Sequence, residues 1–124
     1  MEILTGELAE SIVSKIMETV NNNINVMNKK GIIIASGDKS RIGTIHEGAL
    51  IAIQIKSEVN IDEKQSKNLK GTYPGVNLPI EFQDRIVGVI GITGKPLEVI
   101  CYSKLIKMTA ELMIEQAYVM SELN

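Results

Sequence analysis

The segment from Gly75 to Thr93 constrains the fold more than any other part of the chain. Val76, Leu78, Ile80 and Phe82 alternate with Asn77, Pro79 and Glu81, the two-residue period of a strand with one apolar face. Gln83-Asp84 suits a tight turn, and Arg85 to Thr93 follows as a nearly unbroken apolar run. Such a run needs cover on both faces, so this strand is expected at the centre of a sheet. Pro79 has no N–H to give to a ladder, which puts its strand at a sheet edge or at a bulge. The chain is thus committed to an antiparallel hairpin with helices packed against it.

The flanking segments supply those helices. Thr5 is a predicted N-cap, and Leu8, Ile12, Ile16 and Val20 recur at helical spacing, widened by Val13 and Met17, until Asn21-Asn22-Asn23. Ile24–Met27 and Ile32–Ala35, joined by the turn-like Asn28-Lys29-Lys30-Gly31, read as a second hairpin. Residues 61–70 read as an exposed connection with one helical turn. Pro96 opens a final helix that runs almost to the end of the chain. Its apolar positions, from Ile100 through Leu105, Met108 and Leu112 to Met120, nearly encircle it, and no glycine caps it. The chain is therefore expected to be a piece of a longer protein, with residues 1–124 forming one domain. Helix, hairpin, helix, hairpin, helix is an α+β order with an antiparallel sheet.

Composition narrows the function. The chain has 124 residues, a hydrophobic share of 44% and a formal net charge of -2. No basic stripe offers a footprint for nucleic acid. The single cysteine, Cys101, excludes an internal disulfide and fits a reducing compartment. Neither a signal peptide nor an apolar run of about 20 residues is present, so a cytoplasmic protein without membrane association is expected.

Chemistry concentrates in Ser40-Arg41-Ile42-Gly43-Thr44-Ile45-His46-Glu47-Gly48-Ala49, which holds the only histidine. Thr44 and Glu47 have the spacing of a capping box, which predicts a helix from about Thr44 to Lys56 with its first amides turned toward Arg41. An arginine, a histidine and a helix N-terminus together suit an anion. Asn77 can donate and accept, as a ligand bearing hydroxyls and carboxylates requires. Gly88, Gly91 and Gly94 in the last strand signal a bulge or a close approach to the backbone. A lone histidine without cysteine partners is a poor metal site, so no metal or cofactor is expected. Ser36, Ser40 and Cys101 have no base and orienting acid placed by spacing, which argues against nucleophilic catalysis. A small hydrolase or isomerase using His46 and Glu47 is disfavoured for the same reason.

Three motifs in order, Ser40–Ala49, Gly75–Ile80 and Gly88–Gly94, resemble the sugar diacid recognition domain at the N-terminus of carbohydrate diacid regulators, a group of bacterial transcription factors. The likeness also takes in Leu4–Ile16 and the last helix with Tyr102, Leu105 and Glu115-Gln116. It implies a PAS-like or Cache-like antiparallel sheet flanked by helices, with long N- and C-terminal helices. It implies binding of a sugar diacid such as glucarate or galactarate, or a small hydroxy acid such as glycerate, without catalysis. A helix-turn-helix region that reads DNA is implied too, and is expected to lie outside this chain. Ile45 stands where the family often has an aromatic residue. The candidate ligand-binding set is Arg41, Gly43, Thr44, His46, Asn77, Leu78, Pro79, Gly91 and Thr93. A homodimer through the terminal helices is expected, and the alternative is a PAS-like dimerisation module with no ligand.

Overall fold

A computed structural model describes residues 2–123. The element order is α1 (Gly6–Met17), β1 (Ile24–Met27), β2 (Ile33–Ser36), a 3-10 turn (Lys39–Arg41), α2 (Glu47–Ile55), β3 (Val59–Ile61), the single-turn α3 (Glu63–Ser66), β4 (Gly75–Phe82), β5 (Arg85–Thr93) and α4 (Pro96–Glu122). The five strands form one antiparallel sheet in the order β2-β1-β5-β4-β3. The apolar β5 lies at its centre, as its composition requires. Gln83 and Asp84 both take positive φ in the two-residue β4–β5 turn.

Pro79 meets both conditions set by its missing donor. β3 pairs with β4 only over Gly75–Asn77, so Pro79 faces an open edge, and a register shift follows between Ile80 and Glu81. That edge is closed by α4. Lys107 Nζ donates to the Pro79 carbonyl, and Glu111 Oε2 accepts from the Glu81 amide at 2.8 Å. Capping an open edge with charged side chains keeps other strands from pairing there.

Helices cover both faces unequally. α1 and α4 pack on one face over Ile24, Val26, Val76, Leu78, Ile90 and Ile92. The shorter α2 packs on the other over Met27, Ile33 and Val89. This double cover corrects the one-faced reading of β4: Asn77 and Pro79 are buried as fully as Val76 and Leu78. α1 starts at the predicted cap, where Thr5 Oγ1 accepts from Leu8 N at 3.2 Å. It has 12 residues, an ordinary length, and stops at Met17, four residues before the asparagine run. The asparagines instead tie elements together. Asn22 Nδ2 donates to the Thr93 carbonyl at 3.0 Å, and Asn22 Oδ1 accepts from the Tyr102 hydroxyl of α4 at 2.6 Å. β3 precedes the expected connection and takes from it only Ile61, and the helical turn expected there is α3, closed by a capping box of Asp62 and Gln65.

Candidate functional site

Cross-strand register builds the floor of the site. Ser36 lies opposite Asn25, Asn25 opposite Gly91, and Gly91 opposite Asn77. Directly opposed residues share a face, so these four form one polar row across the sheet beneath the start of α2. The next row on that face, Ile33, Met27, Val89 and Pro79, is apolar and lies under the body of α2. Polar and apolar rows therefore match the two ends of the helix above them.

Glycine at two positions lets these groups meet. A Cβ on Gly91 would lie 2.6 Å from Asn77 Oδ1. A Cβ on Gly48, in the first turn of α2, would lie 3.0 Å from Thr72 Cγ2, 3.1 Å from His46 Cε1 and 3.4 Å from Asn77 Nδ2. His46, Thr72 and Asn77 thus converge on the first turn of α2, with Asn77 folded over Gly91. Asn77 is only 2% exposed. Its side-chain amide has no hydrogen-bond partner in the protein among the described residues but is not sealed from solvent; the one fully buried side-chain polar atom without a partner there is Asn23 Oδ1.

The start of α2 differs from the capping-box expectation. The helix begins at Glu47, and His46 is its N-cap, with Nδ1 accepting from Ala49 N at 3.0 Å. Thr44 is exposed, and its hydroxyl donates to the Arg41 carbonyl at 2.6 Å, closing the loop before the helix. Glu47 Oε1 accepts from Lys70 N at 2.6 Å rather than reaching back to residue 44. The reason is length. Two further residues of extended chain lead Ile45 into a bridge with Ile32, so the helix cannot start until residue 47.

The first amides of α2 are already engaged. Glu47 N donates to the Lys70 carbonyl at 3.0 Å, Gly48 N to Thr72 Oγ1 at 2.9 Å and Ala49 N to His46. The expected free anion cradle at this helix end is therefore filled by the segment Lys70–Thr72. Arg41 is held by the same segment. It is 8% exposed, not a solvated loop residue. Its Nη2 donates to the Gly71 carbonyl at 2.8 Å, and its Cζ lies 4.1 Å from the centroid of the Tyr73 ring.

Burial, reinforced by the positive charge of Arg41, lowers the His46 pKa to about 4. At neutral pH the ring is uncharged, and because Nδ1 accepts from Ala49 the ring proton sits on Nε2. His46 therefore presents a neutral N–H donor on its outer edge. Asp38 is held below the usual carboxylate range by hydrogen bonds from the Ser40 hydroxyl and amide, and it caps the 3-10 turn that carries Arg41.

The nine residues expected from sequence separate into groups. His46, Asn77 and Gly91 meet between the sheet and the first turn of α2, and the charge of Arg41 acts on His46 there. Thr93 shares their sheet face one step toward the strand end and is half-buried. Gly43 and Thr44 shape the loop that carries Arg41, Gly43 through its amide on the Ile33 carbonyl at 2.8 Å. Pro79 sits in the apolar row. Leu78 points to the opposite face, into the core under α1 and α4. Sequence reasoning missed Asn25, Thr72 and Tyr73, and Ser36 entered it only as a nucleophile to be set aside. Asn25 Oδ1 accepts from the Ser36 hydroxyl at 2.6 Å, a pairing across strands that only register reveals. Among the described residues no group of three His, Cys, Asp or Glu side chains is placed to hold a metal.

A family model described as "Putative sugar diacid recognition" matches residues 4–124. The chain belongs to this family. It is 44% identical over 117 residues to the carbohydrate diacid regulator of Escherichia coli (strain K12), which covers 94% of this chain and 30% of that protein. The chain thus spans less than a third of that relative. Solved structures add the fold. The GAF domain of an Acinetobacter phosphoenolpyruvate-protein phosphotransferase superposes with a TM-score of 0.63 at 10% identity, over 96% of this chain and 86% of that one. The cofactor binding GAF domain of the nutrient sensor CodY from Clostridium difficile gives 0.54 at 9%, over 92% and 86%. The sugar diacid recognition domain is thus built here on a GAF-like member of the PAS-like kind of fold.

Proposed function

We propose that this domain is a non-catalytic sensor that binds a sugar diacid, or a related small hydroxy acid such as glycerate, between the sheet and the first turn of α2. The observation that carries this reading is Asn77. Its amide takes no hydrogen bond from the protein among the described residues, and glycines at 48 and 91 leave it room beside the His46 ring at the first turn of α2. One ligand carboxylate takes the guanidinium of Arg41 in place of the Gly71 carbonyl. His46 Nε2–H and Asn77 read hydroxyls or the second carboxylate, and Thr93 closes the wall. Each charge-assisted hydrogen bond contributes about 1.5–3 kcal/mol.

Exchange of Gly71 for a ligand also supplies the two states a sensor requires. A ligand shifts an equilibrium only by its difference in affinity between states. The free state keeps Lys70–Tyr73 latched on Arg41 and α2, and the bound state releases it. The Thr93–Asn22–Tyr102 hydrogen bonds lead from the site strand to α4, the route by which the change passes to a homodimer and to a DNA-binding region of a longer cytoplasmic transcriptional regulator.

Calorimetry with glucarate, galactarate and glycerate tests the reading. Saturable binding that falls about a hundredfold in Arg41→Ala supports it, the loss of roughly 3 kcal/mol at 1.4 kcal/mol per decade. Binding unchanged in that variant removes Arg41 from the site. The second reading, a dimerisation module without ligand, draws on the fact that the α2 amides and Arg41 are satisfied internally. It predicts no heat with any small carboxylate.

A further inference from the structure

α4 carries two opposite faces. Ser103, Ile106, Ala110 and Ile114 are buried against the domain. Cys101, Leu105, Met108, Leu112, Glu115 and Val119 follow one another at spacings of four, three, four, three and four residues. At about 100° per residue this second set lies roughly 180° from the first. Its four large apolar members are between 49% and 59% exposed. No other element among the described residues covers this face.

We propose that this stripe is the dimer interface, occupied by the same stripe of a second copy running antiparallel. The inference deepens the dimer part of the reading above and rests on it. A repeat of 3.5 residues is the pattern that lets two helices keep apolar seams in contact, and the surface that matches the stripe is the stripe itself. Charge fixes the direction. Glu115 lies within the stripe, and a parallel pair in register would set it against its own copy. An antiparallel pair centred on Ala110 instead brings Glu115 beside Lys104 of the partner subunit, twice by symmetry. Lys104 and Glu115 are both exposed and neither has an ion-pair partner among the described residues. Room for the second helix continues beside the stripe in a groove of about 620 Å³ between α1 and α4, bordered by Lys15, Thr19, Leu105 and Thr109.

The antiparallel arrangement separates the two Cys101 thiols by about 18 residues of helix, roughly 27 Å at 1.5 Å per residue, and sets each opposite Val119. The experiment uses the 124-residue chain at about 20 µM, with light scattering for mass and circular dichroism for helix content. The expected result is a dimer for the wild type and a folded monomer for L105E/L112E. Under a mild oxidant, V119C forms a disulfide-linked dimer, while the wild type and C101S/V119C do not. A dimer unaffected by L105E/L112E overturns the stripe but leaves dimerisation standing, and a monomeric wild type ends both. A disulfide in the oxidised wild type or in C101S/V119C overturns the antiparallel direction.

Discussion

Acidification should weaken this domain through one side chain. His46 is 3% exposed, caps α2 through Nδ1 and has its pKa lowered from 6.5 to about 4. In the unfolded chain it titrates near 6.5, so between pH 6.5 and 4 the unfolded state binds the extra proton. Stability therefore rises with pH across that window and is fully present above it. The full difference, 2.5 pH units at 1.36 kcal/mol each, is about 3 kcal/mol, of which about 2 kcal/mol is lost between pH 7 and pH 5. The structural event is direct: a protonated Nδ1 cannot accept from Ala49. Urea denaturation at pH 7, 6, 5 and 4.5 measures the loss. The control is His46→Asn, because asparagine is a good N-cap that does not titrate. Its stability should lie within about 1 kcal/mol of wild type at pH 7 and overtake it at pH 5. Parallel curves for the two proteins would refute the assignment of the proton to His46.

Gly91→Ala pushes a methyl group to within 2.6 Å of Asn77 Oδ1 in a close-packed row, so it should cost about 1–3 kcal/mol and abolish diacid binding. Thermal melting and calorimetry on the same sample check both. Arg41→Ala removes the bond to Gly71 and the stacking on Tyr73, which predicts a loss of about 1–3 kcal/mol and faster amide exchange over Lys70–Tyr73; exchange confined to other loops would count against the latch. Tyr102→Phe deletes the bond to Asn22 and should cost about 1 kcal/mol while leaving ligand affinity within a factor of two or three, since Tyr102 acts behind the site. An affinity change above tenfold in that variant would place Tyr102 closer to the ligand.

Much of the fold was legible because local patterns agreed with tertiary demands. β5 announced its central place by lacking a polar face, Pro79 announced an edge with a bulge, and Thr5 and Pro96 opened helices where caps and rings require. β3 was invisible because three residues carry no period and pair only with the start of β4. The site was half legible. Arg41, His46 and Asn77 stood out by type, but burial of Arg41 and Asn77 depends on α2 and on Lys70–Tyr73 coming back over the sheet. The Thr44–Glu47 spacing misled for a physical reason. A capping box is a local signal, and here the bridge between Ile45 and Ile32 holds the chain extended past it, passing the cap to His46. Ser36 and Asn25 became informative only through register, which a single sequence does not display.

In the proposed complex a small diacid sits between Arg41 and Asn77 and displaces the Gly71 carbonyl. A crystal structure of the domain grown with galactarate tests it most directly. The expected density shows one carboxylate on the Arg41 guanidinium, the Asn77 amide within hydrogen-bond distance of the same molecule, and the Gly71 carbonyl withdrawn. Galactarate bound elsewhere, with Arg41 still on Gly71 and Asn77 untouched, would contradict it.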